Sequence, residues 1–322
     1  MFRIDDATAA SSLPSPEAAG AEGYWTEGNP ATGTPATLER ASWFNMVQEE
    51  LRNVVVAAGL TPSKTAYDQL LTAIKSGLTG HGQCRLSAAS ATSLKLSPYN
   101  GNKLIINGVS QTIPTAGVSV SNAGLSGSTL YYVYAAMSSG VMVLNVVTTG
   151  HVTASNGVEV KNGDATQTLV GMILTNSSSQ FVDSPLSRAV LNWFNRRTLV
   201  ATSSTGSASF NNSGLAEITT AARNGFLCWA DEVCVFSFAG LASNSASGAG
   251  ATVLAVGILD GPSIGPTVAA LTPYAANNAS VSNAYSAQLS EGNHYSSVAG
   301  GLATGGTGSA TVNISLFTTI RG

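Results

Sequence analysis

The sequence has 322 residues, 44% hydrophobic and only 10% charged, with a formal net charge of −3. Soluble globular domains usually carry about 25% charged residues, so this chain must cover its surface with Ser, Thr, Asn and Gly or bury much of it between subunits. The apolar content excludes a disordered chain, and the small net charge without a basic cluster beyond Arg196 and Arg197 gives no reason to expect nucleic acid as a partner.

Targeting and redox signals are also missing. The first ten residues contain two acids and no apolar stretch of the kind that secretory signals have. No apolar run approaches the ~20 residues of a membrane span. Because three cysteines cannot build a disulfide framework, we expect the chain to fold in a cytoplasm.

Residues 1–38 contain few apolar anchors, and eight of the 17 acidic residues lie within the first 50 positions. Such a segment cannot bury enough surface alone to offset the entropy of ordering it. Tyr24, Trp25 and the turn at 28–30 favour docking over a freely flexible terminus. We predict an extended arm that a partner protein holds, rather than its own domain.

Two short helices are predicted next, completing an attachment region over residues 1–80. Residues 40–58 carry apolar side chains at helical spacing, and Gly59 stands where a left-handed C-terminal cap is expected. A second helix is predicted over 64–76 with Ser63 as its N-cap. Two helices without a sheet make a thin core, so we expect them to pack against copies of themselves or another protein.

From residue 82 the apolar pattern changes to a period of two, with turns rich in Gly and Asn. Strands are predicted at 94–96, Lys103–Ile106, 129–137, Val141–Val147, 158–160 and 167–174, with a hairpin loop at 138–140. Many short strands of this kind predict an all-β sandwich or barrel, here a middle domain over 82–192. Residues 187–199 break the rhythm and indicate a junction or a short helix.

A second β segment follows. Its clear strands are predicted at 226–229, 233–238, 252–259 and 311–316, separated by Ser-, Asn-, Ala- and Gly-rich loops at 243–250 and 275–284. The strand spacing predicts a jelly-roll-like β-sandwich over 198–322. The predicted fold class is therefore mainly β: an extended arm and two short helices, then two β-sandwich domains.

Enzyme and metal signals are weak in this sequence. None of the common nucleophile, phosphate-loop or zinc motifs is present, and His81, His151 and His294 stand alone in the chain. Glycan cleavage needs two facing carboxylates, but the adjacent Asp231 and Glu232 would point to opposite faces of a strand. We predict a protein that is not an enzyme and that binds no metal and no cofactor.

Cys228 and Cys234 flank a three-residue turn predicted at 230–232. This turn would make them neighbours across a hairpin, as two buried thiols that behave like small apolar residues or as a disulfide. Because cytoplasmic folding disfavours a disulfide, we predict neighbouring but reduced cysteines.

Four aromatic or imidazole side chains lie in the C-terminal segment, namely Tyr274, Tyr285, His294 and Tyr295. They form either a sugar-stacking tip, in which ring faces meet sugar C–H groups, or ordinary core and rim positions. The sharper interpretation places receptor recognition on the loops around 243–250, 274–285 and 291–295. Strands such as 252–259 and 311–316 would then serve as the scaffold.

Two stretches carry a family resemblance. The first, 23–74, contains the segment 28–37 followed by WFN, QEEL, AAGL and QLL, although Arg40 and Ser42 replace the commoner Thr and Asp. It resembles the N-terminal region of tail fibre and tail-associated proteins of tailed bacteriophages. The second, about 83–197, contains GQCRLS, LSPYNGN, LYYVYA, GDATQTLVGM and WFNRR and is similar to a module of phage and prophage fibre proteins.

This resemblance implies a virion appendage, usually a homotrimer, that is assembled in the host cytoplasm. Its N-terminus would join phage tail or baseplate proteins, with Tyr24, Trp25, Trp43 and Phe44 as attachment residues. The C-terminal end would be distal and would bind a host-surface polysaccharide or outer-membrane receptor. A polysaccharide-cleaving tailspike, and a fibre or decoration protein of the head or neck, are the alternatives.

Overall fold

The computed structural model describes residues 2–77, 80–246, 251–271 and 277–322. The chain divides into two compact units, Met1–Thr79 and Gly80–Gly322. Both helices belong to the first unit, and the second is built from strands. The prediction of a mainly β chain with two N-terminal helices is confirmed.

Helix α1 spans Ala41–Ala57, one residue inside the predicted range at each end. It ends where expected because Gly59 adopts the left-handed backbone conformation, with a φ of +75°. The amide of Gly59 donates to the Val56 carbonyl at 2.9 Å, and the amide of Leu60 donates to the Val55 carbonyl at 3.2 Å. These two bonds form the Schellman motif that glycine permits after a helix.

Helix α2 spans Gln69–Gly77 and begins five residues later than predicted. Ser63 is not its N-cap. The Gln69 side chain accepts a bond from the Ser63 amide at 2.9 Å and donates to the Thr61 carbonyl at 2.7 Å. These bonds hold the backbone before the helix in a non-helical path, which the apolar spacing alone could not indicate.

The arm over residues 2–38 is almost wholly exposed and irregular, apart from a 3-10 turn at Pro30–Thr32. It nevertheless contacts the helices of its own unit. Arg3 binds the Glu49 carboxylate at 2.6 and 2.8 Å, and Lys64 donates to Asp5 at 2.6 Å. Oppositely charged side chains thus pair within the unit, and the holding of the arm by a partner protein stays a prediction. Such exposed pairs add little stability.

Twelve strands lie in the fully described range 80–192. They are β1 (Cys84–Ser90), β2 (Ser93–Pro98), β3 (Lys103–Ile106), β4 (Val109–Thr112), β5 (Val118–Ser121), β6 (Leu130–Ser138), β7 (Val141–Val147), β8 (His151–Thr153), β9 (Glu159–Lys161), β10 (Asp164–Leu174), β11 (Ser187–Arg188) and β12 (Val190–Asn192). The predicted bounds of β3 and β7 agree with the structure. Ser139 and Gly140 make the tight turn between β6 and β7, both with positive φ.

The segment 187–199 contains no helix, so the short-helix interpretation is wrong. Strand β11 pairs in parallel with a later strand, and β12 pairs with β10. The other strands form a sheet β1-β2-β5, a sheet β7-β6-β10-β9-β8 and the hairpin β3-β4. A single apolar cluster, which includes Leu94, Leu104, Val133 and Ile173, lies between them.

Ten further strands lie in the described part of 198–322. They are β13 (Thr198–Ser204), β14 (Ala208–Phe210), β15 (Ala216–Glu217), β16 (Asn224–Cys228), β17 (Val233–Asn244), β18 (Val253–Leu259), β19 (Ser263–Ala270), β20 (Ala279–Gln288), β21 (Gly292–Leu302) and β22 (Ala310–Arg321). They form a β21 sheet, ordered β11-β16-β21-β18-β19 with β15 beside β21, and a β22 sheet, ordered β13-β22-β17-β20 with β14 beside β22. The two sheets enclose one core, to which Phe238, Val253, Val298 and Ile314 belong.

Several predicted recognition loops are strands instead. Residues 279–284 belong to β20, and residues 292–295 belong to β21. The loop predicted at 243–250 starts inside β17, and its residues 247–250, like residues 275 and 276, lie outside the described residues. Backbone pairing therefore overrides the low strand propensity of Ser, Asn and Ala in these segments.

A third apolar cluster joins the two predicted β domains. It combines Tyr134 and Leu191 from the first with Leu199, Phe226 and Trp229 from the second, all buried. Both predicted domains thus contribute to one core within the unit Gly80–Gly322. The division at 82–192 and 198–322 stays a prediction.

Cys228 and Cys234 lie close together, as predicted, with their sulfur atoms 3.0 Å apart. The hairpin that was expected to bring them together does not exist. Strand β16 belongs to the β21 sheet and β17 to the β22 sheet, so the turn at 230–232 is a corner between sheets. Both thiols are buried and are not joined in a disulfide in the structure, and their reduced state in solution stays a prediction.

Candidate functional site

The N-terminal unit contains a groove between the arm and α1. Its volume is about 760 Å³, and Leu13, Tyr24, Trp25, Trp43 and Met46 are among the residues that line it. The apolar character of these side chains, on a unit with a thin core, makes the groove a place where a protein partner could bury surface. We refer to it as the arm groove.

Three of the four predicted attachment residues form an aromatic cluster, of which Trp25 and Trp43 line the arm groove. The Trp25 and Trp43 rings meet edge to face at 5.4 Å, and the Trp43 and Phe44 rings do the same at 5.4 Å. Trp43 is still 41% exposed, and Tyr24 beside the cluster is 98% exposed. A pre-formed but uncovered aromatic cluster is a surface that a partner can cover at low entropic cost.

The predicted receptor residues do not form one tip. Tyr274 lies outside the described residues. Tyr285 lies on β20 of the β22 sheet and is 40% exposed, whereas His294 and Tyr295 lie on β21 of the other sheet. Sequence proximity in a loop had suggested a common location, but each residue belongs to a paired strand.

His294 and Tyr295 also have partners within the chain. The His294 ring is buried, with Nδ1 2.6 Å from the Asp260 carboxylate and Nε2 2.8 Å from the Ser290 carbonyl. The guanidinium of Arg223 covers the Tyr295 ring at 4.2 Å. Of the three described residues, Tyr285 is the one with a substantially exposed ring.

Sequence reasoning missed a polar cluster around His151. One ring nitrogen lies 2.5 Å from Glu159 and the other lies 3.1 Å from Glu291. The Tyr132 hydroxyl donates to the second Glu291 oxygen at 2.7 Å. His151 is therefore not alone, and because Glu291 is 140 positions away in the chain, no spacing in the sequence could have indicated the pair.

The cluster favours charged forms of its members. The hydrogen bond to Glu291, together with that to Glu159, raises the pKa of His151 above its ordinary value. Burial works against ionisation of Glu291, but bonds from His151 and Tyr132 outweigh it and lower the pKa of this carboxyl. Since both imidazole nitrogens face carboxylates, a doubly protonated ring satisfies both contacts.

Asp231 and Glu232 converge on one cation instead of pointing apart. The Arg196 guanidinium binds both carboxylates at 2.7 Å and stacks on the Trp193 ring at 4.5 Å. The two acids lie in the corner between β16 and β17, so the strand alternation assumed for them does not apply. Arg196 thus binds both carboxylates in a structural ion pair.

The side chains of the described residues include no group of three or more His, Cys, Asp and Glu arranged to hold a metal ion. Neither helix, as far as it is described, is long and apolar enough to cross a membrane.

Comparison with known proteins gives one sequence match of note. A segment of 75 residues is 48% identical to "Uncharacterized protein StfP" of Escherichia coli K12, which covers 23% of this chain and 34% of the relative. The chain thus spans about a third of the length of the curated relative that it matches. No family model matches the chain.

Solved structures give only distant likenesses. Infectious bursal disease virus, Gx strain, aligns at 14% identity over 74% of this chain and 73% of that chain, with a TM-score of 0.27. The insecticidal δ-endotoxin Cry8Ea1 of Bacillus thuringiensis aligns at 9% identity over 79% and 55%, with a TM-score of 0.26. At such TM-scores the likeness carries no argument about fold or function.

Proposed function

We propose that this protein is a structural component of a bacteriophage virion, a tail fibre that acts by binding and not by catalysis. The observation that carries the proposal is the separate N-terminal unit with its exposed arm groove. The aromatic side chains that line the groove, Tyr24, Trp25 and Trp43, lie in the stretch 23–74, which resembles the attachment region of phage tail proteins. The unit Met1–Thr79 would join the tail or baseplate.

We assign receptor binding to the C-terminal segment 198–322 and propose a host-surface polysaccharide as its ligand, which needs no charged group on the partner. Its surface offers Ser, Thr and Asn hydroxyl and amide groups, which suit sugar hydroxyls. Tyr285 offers the exposed ring face that can stack on a sugar. Single contacts of this kind are weak, and a homotrimer would make the later contacts effectively intramolecular.

Attachment can be tested on virions. The full chain, a chain without residues 2–38 and the double variant Trp25→Ala, Trp43→Ala would each be supplied to a phage that lacks the protein. We expect both altered chains to fold but to be absent from purified virions, because the aromatic cluster that the partner covers is gone. Tyr67→Ala is the control, since Tyr67 is an exposed aromatic of the same unit outside the arm groove.

Normal incorporation of the truncated chain and the double variant would contradict the attachment role. Equal loss with Tyr67→Ala would show that the arm groove has no special part in it. Circular dichroism of each purified chain checks that the strands are retained.

A further inference from the structure

The outer face of the β22 sheet is largely uncovered by the other described residues of the unit Gly80–Gly322. Side chains alternate strictly along β22: Val312, Ile314 and Leu316 point into the sandwich core, and the intervening residues face outward. Strand β17 alternates in the same way around Phe236 and Phe238. The inner face already completes the core, so the outward residues are not needed for it.

Large apolar side chains are concentrated on this outer face. Phe317 on β22 is 42% exposed, and Val200 and Val235 flank the neighbouring position Thr319 from β13 and β17. Leu241 extends the same face further along β17 and is 46% exposed. Phe317 and Thr319 are two positions apart on one strand, so the three apolar side chains around them form one patch.

The face is also nearly without charge. Its other outward residues are Val233 and a set of Ser, Thr, Ala, Asn and Gln, and the one charged residue among them is Arg321 at the end of β22. No carboxylate lies among the outward positions of these four strands. Covering the face would therefore remove no ion pair from water, and the partner needs to bring no opposite charge.

The size of the face matches a stable protein interface. Strands β13, β22, β17 and β20 have 7, 12, 12 and 10 residues. At a rise of ~3.3 Å per residue and a strand spacing of ~4.8 Å, they make a face of about 650 Å². A standard interface buries about 800 Å² per partner.

We propose that the outer face of the β22 sheet packs against the same face of further copies of this chain. A second copy brings an equally uncharged surface of the same size and apolar content, so complementarity in charge is met without a specialised partner. The inference rests on the proposed function in one respect, the homotrimer, and assigns the surface that holds the copies together. Three such faces can meet around one axis, with Phe317 near the contact.

The test is the mass of the full chain in solution, measured by light scattering across micromolar concentrations. The wild-type protein should have the mass of three copies of the chain. Phe317→Asp should raise the dissociation constant roughly 30-fold or more, as for a charged group placed in an interface hot spot. Val235→Thr keeps the side-chain shape and should act in the same direction, so it carries the test if Phe317→Asp does not fold. Val141→Asp, at a valine that is 63% exposed on β7, is the matched control and should change nothing.

A multimeric wild type with unchanged Phe317→Asp and Val235→Thr would overturn the assigned surface and leave the homotrimer standing. Equal dissociation by Val141→Asp would also overturn it, because the effect would not be specific to this face. A wild type that is a single copy at all concentrations would overturn both the surface and the homotrimer. Binding of the same chain to host cells, measured separately, would still report on the receptor-binding proposal.

Discussion

Replacing Trp229 with alanine should destabilise the unit Gly80–Gly322 by about 3–5 kcal/mol, the usual cost of removing a buried Trp side chain. Trp229 is fully buried, its indole N–H donates to the Asn192 carbonyl at 2.9 Å, and its ring meets Trp193 at 4.9 Å. At roughly 2–4 °C per kcal/mol for a unit of this size, the melting temperature should fall by about 6–20 °C. Calorimetry of the full chain measures it.

The form of the transition is as informative as its midpoint. Because Trp229 belongs to the cluster shared by Tyr134 and Leu199, we expect residues 82–192 and 198–322 to melt together in wild type and variant alike. Trp43→Ala, at a partly exposed Trp of the other unit, should leave this transition in place. A Trp229→Ala chain in which one half melts early and the other keeps its wild-type midpoint would contradict a shared core.

Replacing Glu291 with glutamine should destabilise the protein by about 1–3 kcal/mol near pH 5.5, because it removes the charged partner of a largely buried imidazolium. Glutamine keeps the shape of the side chain and an acceptor for the Tyr132 hydroxyl. The variant should also lower the pKa of His151, which NMR titration of the ring can follow. Asp164→Asn removes a carboxylate that accepts hydrogen bonds from Thr166 and Gln167 of its own strand β10, and should leave the pKa of His151 unchanged.

The pH dependence follows from the direction of each pKa shift. The pKa of His151 is raised above 6.5, so its contribution to stability is complete below pH 6.5 and is lost as the pH rises through the folded value. The pKa of Glu291 is lowered below 4.5, so its contribution is complete above pH 4.5 and is lost as the pH falls through the folded value. The pair therefore stabilises most between about pH 4.5 and 6.5.

Urea unfolding at several pH values measures this dependence. The free energy of unfolding of the wild type should fall above pH 6.5, because the contribution of His151 and Glu291 is lost there. The free energy of unfolding of Glu291→Gln should change less with pH in the same range. Equal slopes for wild type and Glu291→Gln would show that His151 and Glu291 do not form the charged pair in solution.

Strong local patterns predicted the elements that local sequence determines. Strand β7 alternates Val, Met and Leu after a Ser-Gly turn, and its bounds Val141–Val147 were predicted from that alternation. Helix α1 was predicted by its apolar spacing and by Gly59. Helix α2 was predicted too long because the Gln69 side chain binds backbone groups that the spacing does not reveal.

Elements that depend on distant partners were not predictable. Strand β20 contains Ser, Asn and Ala with one fully buried residue, Val281, and was interpreted as a loop. It is a strand because ten of its residues pair with β17. The corner at 230–232 resembled a hairpin because the sequence does not reveal that β16 and β17 belong to different sheets.

The candidate site shows the same limit. The sequence could identify the aromatic cluster at the arm groove because Trp43 and Phe44 are neighbours on one helix. Trp25 is the exception, since it contacts Trp43 from the arm. The cluster around His151 gathers residues from β6, β8, β9 and the turn before β21, which only the folded chain brings together.

Electron microscopy of virions that carry the full chain, labelled once beside Phe2 and once after Gly322, tests the central claim most directly. The account predicts the first label at the tail or baseplate and the second at the distal end of a tail appendage. Labels on the head or neck, or no label on purified virions, would contradict it.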